Sequence, residues 1–476
     1  VNLGGDNPGN HRVEAGRRSF GFFVSGSSWV LIGGFTVTRT EFAGIEVSNR
    51  SNNITVTHNN LTFANNYGIQ AENSTAVLIG ANTCSDNLAS GIALTAGSTG
   101  CTVQDNESFR NLTPDQSNGI YGFGAPGNLI QRNRVHDNAY NGIMMANDAS
   151  NNVLRQNRVW NNGHQGFEDI FCTGTSHVGD VSYGNYWNGF AIEGGATGTT
   201  LYNCVAVDNG KVSSTANLEV DPSSTAGFAS DANLFWNSSV RPAALFGGVG
   251  YATVPLYQLG TGQDAGTLEA DPKFANAAAG DFHPTAGSPL IDAANSGVLN
   301  WPATDAEDNR RLDDPATLNS GLGPVAYADR GALEYRPSSH CPASSTIAAT
   351  LNPTTIRGNG THPAYLWFNS NLQISLGTAV AGTSVRLRNS HVSINATLYD
   401  IPDANITFQA VSCASTSYDV RTRTWNTIVP LAGSDEIFLS GLAIPVTSLA
   451  GGANVKWTGT IEPSAPQICV QWKWGA

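Results

Sequence analysis

The sequence predicts an all-β protein whose first part is a β-solenoid, and three observations predict it. A glycine followed by an aliphatic or aromatic residue recurs at steps of 23 to 28 residues. Segments of alternating polarity lie between these pairs, and the chain is rich in glycine (52 residues), Asn, Ser and Thr, which favour turns and strands. A period of this length is typical of one structural unit stacked on copies of itself. The recurring pairs are Gly44-Ile45, Gly68-Ile69, Gly91-Ile92, Gly119-Ile120, Gly142-Ile143, Gly166-Phe167 and Gly189-Phe190.

Each repeat contains a short alternating strand, an Asn, a second alternating strand, a polar turn and the strand that starts at the Gly-Ile pair. Alternation buries every second side chain inside the tube. Val56, Val103, Ile130 and Leu154 are therefore predicted to stack in the core. One column of amides is predicted to form a hydrogen-bonded ladder along the solenoid axis, as amides do in other stacked parallel strands. That column is Asn59, Asn82, Asn106, Asn133 and Asn157.

From about residue 20 to 335 these coils resemble right-handed parallel β-helix proteins of the pectate-lyase type. The segments "DPKFANAAAGDFHPTAGSPLIDAANSG", from Asp271, and "DRGALEY", from Asp329, resemble the closing segments of many secreted bacterial β-helix proteins. The resemblance implies a right-handed parallel β-helix with its closing segment over residues 1–335. It does not imply a particular substrate, because one fold serves many functions.

After Tyr335 the period of about 23 residues ends. Residues 336–476 contain alternating runs such as "TSVRLRNSHVSINATLYDI", from Thr383, separated by Pro, Gly and Asp. This pattern predicts a separate antiparallel β-sandwich as an accessory domain. An exposed strand edge in this domain is a candidate surface for self-association.

Composition limits the function and the location. The formal net charge is −13 and no basic patch is visible, so nucleic acid is not expected as a partner. No apolar run has the length of a membrane span, and the chain begins at Val1. We expect the mature part of an exported protein, either secreted or at the cell surface.

The chain has seven cysteines and no CxxC pair, which argues against a zinc site. An odd number leaves at least one thiol unpaired. Cys172 and Cys204 lie on successive coils and are predicted to form one disulfide. Cys413 and Cys469 are predicted to form a second in the C-terminal domain, although spacing alone does not determine connectivity.

Acidic residues concentrate on the last coils, in the strands that follow the Gly-aromatic pairs. The candidate catalytic residues are Glu168, Asp169, Glu193, Glu219 and Asp221. Because neighbouring coils are about 4.8 Å apart, Glu193 and Asp221 are expected to face each other at roughly 5 Å, and Glu168 and Glu219 at roughly 9–10 Å. Retaining and inverting glycosidases respectively use carboxyl separations of about this size.

Crowded carboxylates repel one another, so one should keep a proton or the group should share a cation. If the carboxylates share a calcium ion, its ligands are expected to be Glu168, Asp169, Glu193 and Asp221. If they instead hydrolyse a glycosidic bond, no cofactor is required. Aromatic and imidazole side chains near the acids are candidate substrate-binding residues for a sugar chain. They are Tyr121, Phe123, His164, His177 and Trp187.

The run "GFAIEGGATGTTLYNCVAVDNG", from Gly189, resembles a stretch of family-nine pectate lyases that reads Gly-Phe-Lys-Leu-Gly-Gly and then Asn-Cys. In that family the lysine is the base that abstracts a proton. Ala191 stands at its position here, so the resemblance does not carry over the base. An acidic groove would also repel a polyuronate unless Ca²⁺ intervened.

Three functions remain open at this point. We favour an exported carbohydrate-active enzyme that hydrolyses glycosidic bonds of a neutral or weakly charged polysaccharide with paired carboxylates. The alternatives are a Ca²⁺-assisted polysaccharide lyase with an Arg, His or Tyr base, and a non-catalytic surface or filament protein. The sequence does not determine the sugar, the linkage, the assignment of acid and base, or the oligomeric state.

Overall fold

The computed structural model describes residues 18–336 throughout and, beyond them, the backbone of strands between residues 345 and 474. Contacts divide the chain into two units, Val1–Tyr335 and Arg336–Ala476. The described part of the first unit is a solenoid in which each coil contributes one strand to each of three parallel sheets. It is a right-handed parallel β-helix of about nine turns, which confirms the predicted fold class.

Sheet 1 consists of the strands that begin at or near the recurring glycines. All neighbouring strands in it are parallel except the last pair, which forms an antiparallel hairpin. Its strands are Phe20–Ser25, Ala43–Ser48, Ile69–Glu72, Ile92–Thr95, Ile120–Phe123, Ile143–Ala146, Phe167–Ile170, Phe190–Glu193, Leu218–Val220, Ala244–Phe246 and Val249–Tyr251.

Sheets 2 and 3 consist of the two short strands that flank one corner of each coil, the corner that holds the predicted Asn column. Sheet 2 contains Leu31–Gly33, Thr55–Thr57, Leu78–Gly80, Thr102–Gln104, Leu129–Gln131, Val153–Arg155, Ser176–Val178, Thr200–Tyr202 and Ala229–Asp231. Sheet 3 contains Thr36–Thr38, Asn60–Thr62, Thr83–Ser85, Glu107–Phe109, Arg134–His136, Arg158–Trp160, Val181–Tyr183, Val205–Val207 and Leu234–Trp236.

The recurring glycines are explained by the close approach of successive coils. A Cβ on Gly142 would lie 2.6 Å from the carbonyl oxygen of Gly166 and 2.2 Å from a methyl group of Val159. It would also lie 2.9 Å from the side-chain nitrogen of Asn162. No larger residue fits there without moving the neighbouring coil, which accounts for the period seen in the sequence.

Buried amides form ladders along two corners of the solenoid. The predicted column is confirmed: Asn133 donates from Nδ2 to Asn157 Oδ1 at 3.0 Å, and its own Oδ1 accepts from Asn106 Nδ2 at 3.0 Å. Each ladder Oδ1 also accepts a backbone N–H of the preceding coil, so the ladder satisfies corner groups that no sheet covers. A second ladder at the other corner was not predicted and comprises Asn87, Asn111, Asn138, Asn162, Asn185, Asn209 and Asn217.

Aliphatic and aromatic residues that point inward from the three sheets form one continuous core. Val56, Val103, Ile130 and Leu154 are all buried in it, as predicted. The helix Val254–Thr261 closes the C-terminal end, where Tyr257 is fully buried.

The closing segment then turns back and packs against the outside of sheets 2 and 3. It contains the strands Phe274–Asn276 and Asp281–Pro284, joined by the 3₁₀ turn Ala277–Ala279. Phe282 contacts Trp160 edge to face, with ring centroids 5.5 Å apart.

The second unit consists of two sheets in which every strand pair is antiparallel except those that join Cys413–Asp419 to Glu436–Leu439 and to Ala443–Pro445. The first sheet contains Ser345–Leu351, Ser384–Ile394, Thr397–Ile401, Ala404–Thr407 and Val455–Pro463. The second contains Ile356–Arg357, Tyr365–Trp367, Leu372–Leu376, Cys413–Asp419, Thr424–Leu431, Glu436–Leu439, Ala443–Pro445 and Val470–Trp474.

The predicted disulfide between Cys172 and Cys204 is wrong, because both residues are buried free thiols. Cys172 lies in the turn between sheets 1 and 2, where its Sγ contacts Thr175 Oγ1 at 3.6 Å. Cys204 lies in the turn between sheets 2 and 3, so the two side chains occupy different corners of the tube. The predicted pair Cys413–Cys469 lies outside the described side chains.

Candidate functional site

The site is built on the outward side chains of sheet 1. The strand register places Glu168, Ala191 and Glu219 on successive rungs, and it pairs Ile170 with Glu193 in the adjacent outward column. Leu218 pairs with Phe190, so Asn217-Leu218 takes the place of a Gly-aromatic pair on this coil, as the sequence alignment of the coils assumed. Three glutamates of three consecutive rungs therefore share one face.

Glu168 is the most enclosed of these acids, with 3% of its surface exposed. Asn141, one coil earlier, donates from Nδ2 to Glu168 Oε2 at 2.5 Å. Burial, a side-chain hydrogen bond with Glu193 and the negative charge of Glu193 raise the pKa of Glu168 to about 9, although the Asn141 bond acts in the other direction. Burial and the neighbouring Glu193 therefore favour the protonated form of Glu168 at neutral pH.

Glu219 is held in the same way as Glu168. Asn188 Nδ2 donates to Glu219 Oε2, and Asn188 Oδ1 accepts the backbone N–H of Ala216 at 2.7 Å. Burial and the charge of Glu193 raise the pKa of Glu219 above its ordinary value, against the effect of the Asn188 bond. Both asparagines directly precede a recurring glycine, so a repeated sequence position orients both carboxyl groups.

A stack of three rings lies beside the acids, in the turns that lead into sheet 1. The ring centroids of Tyr140 and His164 are 4.5 Å apart, and those of His164 and Trp187 are 4.2 Å apart. Trp187 is 40% exposed. Such ring faces suit contact with the apolar face of a sugar.

The two less exposed members of the stack, His164 and Tyr140, have shifted pKa values. Burial lowers the pKa of His164 to about 4, so its imidazole is neutral at pH 7. Its Nδ1 lies 2.8 Å from Asn141 Oδ1, which links the stack to the residue that orients Glu168. Burial, together with the charges of Glu168, Asp115 and Glu193, raises the pKa of Tyr140 to about 12.

Tyr121 and Phe123 extend the same face toward the N-terminal end. Tyr121 precedes Met144 and Glu168 in their outward column, and Phe123 occupies the column of Ile170. Their rings are tilted with centroids 5.7 Å apart, and Phe123 is 39% exposed. The predicted residues Tyr121, Phe123, His164 and Trp187 thus border one surface.

Asp169 and His177 do not lie on this surface but inside the solenoid, so their assignment to the exposed site is corrected. Because side chains alternate along a strand, an outward Glu168 forces Asp169 inward. His177 Nε2 lies 3.3 Å from Asp169 Oδ2, and its Nδ1 lies 3.1 Å from Asp180 Oδ2, with all three side chains at most 1% exposed. Thr199 Oγ1 donates to Asp169 Oδ2 at 3.1 Å.

Asp221 lies next to the site, and its carboxylate is engaged by the turn that follows it and by the backbone of the preceding coil. Its Oδ2 accepts the backbone N–H of Gly194 at 2.8 Å and its Oδ1 accepts from Ser223 Oγ at 2.8 Å. Burial raises the pKa of Asp221, but hydrogen bonds from Ser224, Ser223 and Gly194 outweigh burial and lower it overall. Asp221 therefore orders the turn after Glu219.

The four proposed calcium ligands do not converge on one point. Glu168 and Glu193 are on the outer face, whereas Asp169 points into the core and Asp221 bonds to its turn. Within residues 18–336, no group of three or more His, Cys, Asp or Glu side chains is arranged to hold a metal ion.

Sequence reasoning missed Asn141 and Asn188, the two residues that orient the acids. The available signal was the position before each recurring glycine, where an amide or hydroxyl residue often stands. It also missed Asp180, which takes the place of an asparagine in the first ladder and accepts from Asn157 Nδ2 at 3.0 Å.

Comparison with known families agrees with this architecture. Residues 9–108 and 43–217 match the family described as "Right handed beta helix region". The first unit is thus a right-handed parallel β-helix, and the resemblance to proteins of the pectate-lyase type is confirmed at the level of the fold. No curated protein sequence matches the chain. No helix among the described residues is long and apolar enough to cross a membrane.

Three solved structures that are similar to this chain belong to proteins with quite different names. Pectate lyase Pel9A is 16% identical, with a TM-score of 0.43, over 68% of this chain and 85% of its own. The Dettilon tailspike protein is 12% identical, with a TM-score of 0.39, over 95% of this chain and 82% of its own. The A-module of the mannuronan C-5 epimerase AlgE4 from Azotobacter vinelandii is 11% identical, with a TM-score of 0.37, over 47% of this chain and 75% of its own. At these identities the likeness concerns the fold only.

Proposed function

We propose that this protein acts outside the cell on a polysaccharide and hydrolyses its glycosidic bonds at the glutamates of sheet 1. The observation that carries the proposal is the buried Glu168 beside Glu193 on the outer face of sheet 1, where burial and Glu193 raise the pKa of Glu168 to about 9. A carboxylic acid that keeps its proton at neutral pH is what protonation of a glycosidic oxygen requires. The neighbouring ring stack supplies a surface for sugar rings.

Glu168 is the proposed general acid. Its proton passes to the oxygen of the leaving sugar while the bond from that oxygen to the anomeric carbon breaks. Asn141 holds the carboxyl group in place from one side, and the charge of Glu193 keeps the proton on Glu168 until it is transferred. Tyr140 stacks on His164, and His164 Nδ1 contacts Asn141, so the ring stack supports the residue that orients the acid.

Glu219 is the proposed base that activates water. It lies two rungs from Glu168 in the same column, so their backbones are separated by about 10 Å. Inverting glycosidases place their carboxyl groups about 6.5–9.5 Å apart to leave room for a water molecule. This spacing favours the inverting arrangement for the pair Glu168 and Glu219.

A lyase is the second candidate, because the neutral His164 has one ring nitrogen that is not engaged by Asn141. The low pKa of His164 makes it a weak base, however, and the outward columns of sheet 1 contain no Lys or Arg between Phe20 and Phe246. Two carboxylates at the point of cleavage also disfavour a charged uronate. Hydrolysis of a neutral chain therefore fits the charges better.

The test is a product assay on a panel of polysaccharides with the full-length protein and Glu168→Gln. Hydrolysis produces reducing ends and no ultraviolet absorbance. Elimination produces reducing ends together with an unsaturated product that absorbs in the ultraviolet. We expect reducing ends only, anomeric inversion in the first product seen by NMR, and loss of activity in Glu168→Gln. An unsaturated product would support the lyase, and an absence of any product would support a non-catalytic surface protein.

A further inference from the structure

The outward face of sheet 1 carries a second pair of carboxyl groups near its N-terminal edge. Glu46 pairs in register with Gln70, and Glu72 follows Gln70 by two residues. Glu168 and Glu193 stand in the same relation on later rungs. The arrangement of acids at the proposed catalytic site therefore occurs twice on one face.

Buried polar atoms at this second pair lack partners within the protein. Glu46 is 4% exposed and Gln70 is 7% exposed. Glu46 Oε2 and Gln70 Oε1 are both enclosed without a hydrogen-bond donor, while Gln70 Nε2 donates to Thr95 Oγ1 at 3.0 Å. Buried acceptors are nearly always paired in folded proteins, so two neighbouring ones without donors indicate a bound group that donates.

Aromatic rings border this pair as they border the catalytic acids. Phe23 precedes Glu46 in the same outward column and is 54% exposed. Phe42 and Tyr67 meet edge to face with centroids 6.1 Å apart. Burial and the charge of Glu72 raise the pKa of Glu46 to about 8, so the group presents an acid proton as well as acceptor atoms.

We infer that Glu46, Gln70 and Glu72 form a second saccharide-binding site, which holds a distant part of the same sugar chain that reaches Glu168. Sugar hydroxyls donate and accept hydrogen bonds, and the ring faces contact aromatic side chains. This inference rests on the proposed function for the identity of the ligand. It adds that the chain must be extended, and that a negatively charged chain is disfavoured by the charges of Glu72 and Glu193 at the two binding points.

The strand register sets the length of that ligand. Glu46 and Glu168 lie in one outward column, five rungs apart. At about 4.8 Å per rung the two sites are about 24 Å apart. Tyr121 and Met144 occupy the column between them, so a sugar chain that spans both sites passes over an aromatic side chain midway.

The experiment measures binding separately from cleavage. The full-length protein with Glu168→Gln, which cannot protonate a leaving group, is run by affinity electrophoresis in gels that contain xylan, arabinan, galactomannan or mixed-linkage β-glucan. Glu46→Leu or Gln70→Leu is then added. Both replace an unpaired buried acceptor with an apolar side chain, so we expect the fold to be retained, which a thermal melt checks. Glu41→Leu, at an exposed position of the same coil, is the matched control.

We expect Glu46→Leu and Gln70→Leu to weaken retention by the polymer at least about fivefold, while Glu41→Leu stays within about twofold and binding of a trisaccharide is unchanged. Unchanged retention in the folded variants overturns the inference, as does absence of retention of the parent by every polymer. Weaker retention in these variants, combined with cleavage that survives in Glu168→Gln, supports the second site and overturns the proposed function instead.

Discussion

Glu168 and Asp169 are consecutive residues of one strand that face opposite sides of sheet 1. Glu168 lies outside beside Glu193 and keeps a proton, and Asp169 lies inside 3.3 Å from His177. The candidate catalytic acid is thus backed directly by a buried network of Asp169, His177 and Asp180. The same strand carries the proposed chemistry on one side and an unusual polar core on the other.

Glu168→Gln should abolish most of the cleavage activity, with a loss of about 10²–10⁴-fold, which is typical for removal of a general acid. In the wild-type protein the rate should fall as pH rises through about 9, because the acid must be protonated to act and burial raises its pKa to about that value. The measurement is the rate of release of reducing ends between pH 5 and 10. Glu41→Gln, which removes an exposed carboxylate, should leave the profile unchanged.

The same substitution should stabilise the protein at neutral pH. The pKa of Glu168 is higher in the folded chain than its ordinary value of 4.5, so the folded state binds more protons and the wild type loses stability as pH rises from about 4.5 to about 9. Glutamine is neutral throughout and keeps an acceptor for Asn141. We expect Glu168→Gln to be more stable than the wild type by about 2 kcal/mol at pH 7 and equally stable near pH 4, in denaturant titrations at each pH. A wild type with stability independent of pH in this range would contradict the assignment.

His177→Leu should destabilise the solenoid by about 3–5 kcal/mol, because it leaves two buried carboxyl groups without their partner. Leucine fits the column, since Leu154 and Leu201 occupy it on either side. Adding Asp169→Leu and Asp180→Asn should recover most of the loss, because no charge then remains buried and the Asn ladder is continuous. Denaturant titrations of the single and triple variants measure both effects.

Stability should also depend on the titration of His177. Burial lowers its pKa, but Asp169 and Asp180 outweigh burial and raise it to about 9, above its ordinary value of 6.5. The stabilisation by this group is therefore complete below about pH 6.5 and is lost as pH rises to about 9. We expect the triple variant to lose less stability over this window than the wild type, and an identical loss in both would argue against a charged His177.

Asn133→Ala should cost about 2–4 kcal/mol, since Asn133 is fully buried in the middle of its ladder. Its removal leaves Asn106 Nδ2 without one of its two acceptors, the other being the Ile79 carbonyl, and Asn157 Oδ1 without one of its donors. Asn65→Ala, at an exposed turn, should change the free energy of unfolding by less than about 0.5 kcal/mol. Comparable losses in both variants would show that the ladder contributes no special stability.

The four cysteines of the solenoid should resist alkylation in the native protein and react after unfolding. All four are buried free thiols, and burial raises the pKa of each. Peptide mapping after alkylation without reductant, in the native and the denatured state, measures this directly. The same map tests the predicted Cys413–Cys469 disulfide. Recovery of a Cys172–Cys204 disulfide would contradict the placement of these two residues at different corners of the solenoid.

The periodic sequence by itself determined the architecture and much of the face that carries the site. The recurring glycines, the column that includes Asn133 and the alternation around the Gly-aromatic pairs placed Glu168 and Glu219 in one outward column two rungs apart. Register in a solenoid propagates through backbone hydrogen bonds, which repeat at a fixed rise whatever the side chains are. A column that is aligned correctly at one coil therefore stays aligned at the next.

Only the tertiary structure decided which side chains bond to one another. Alternation requires Asp169 to point inward, but its polarity argued for the surface, and only the contact with His177 shows how the core accommodates it. Asn141 reaches Glu168 across a coil boundary, and Asp221 accepts the backbone N–H of Gly194 across another. Such partners depend on rotamers and on turns whose lengths differ from coil to coil. They follow from the packing of neighbouring coils, which a linear period does not specify.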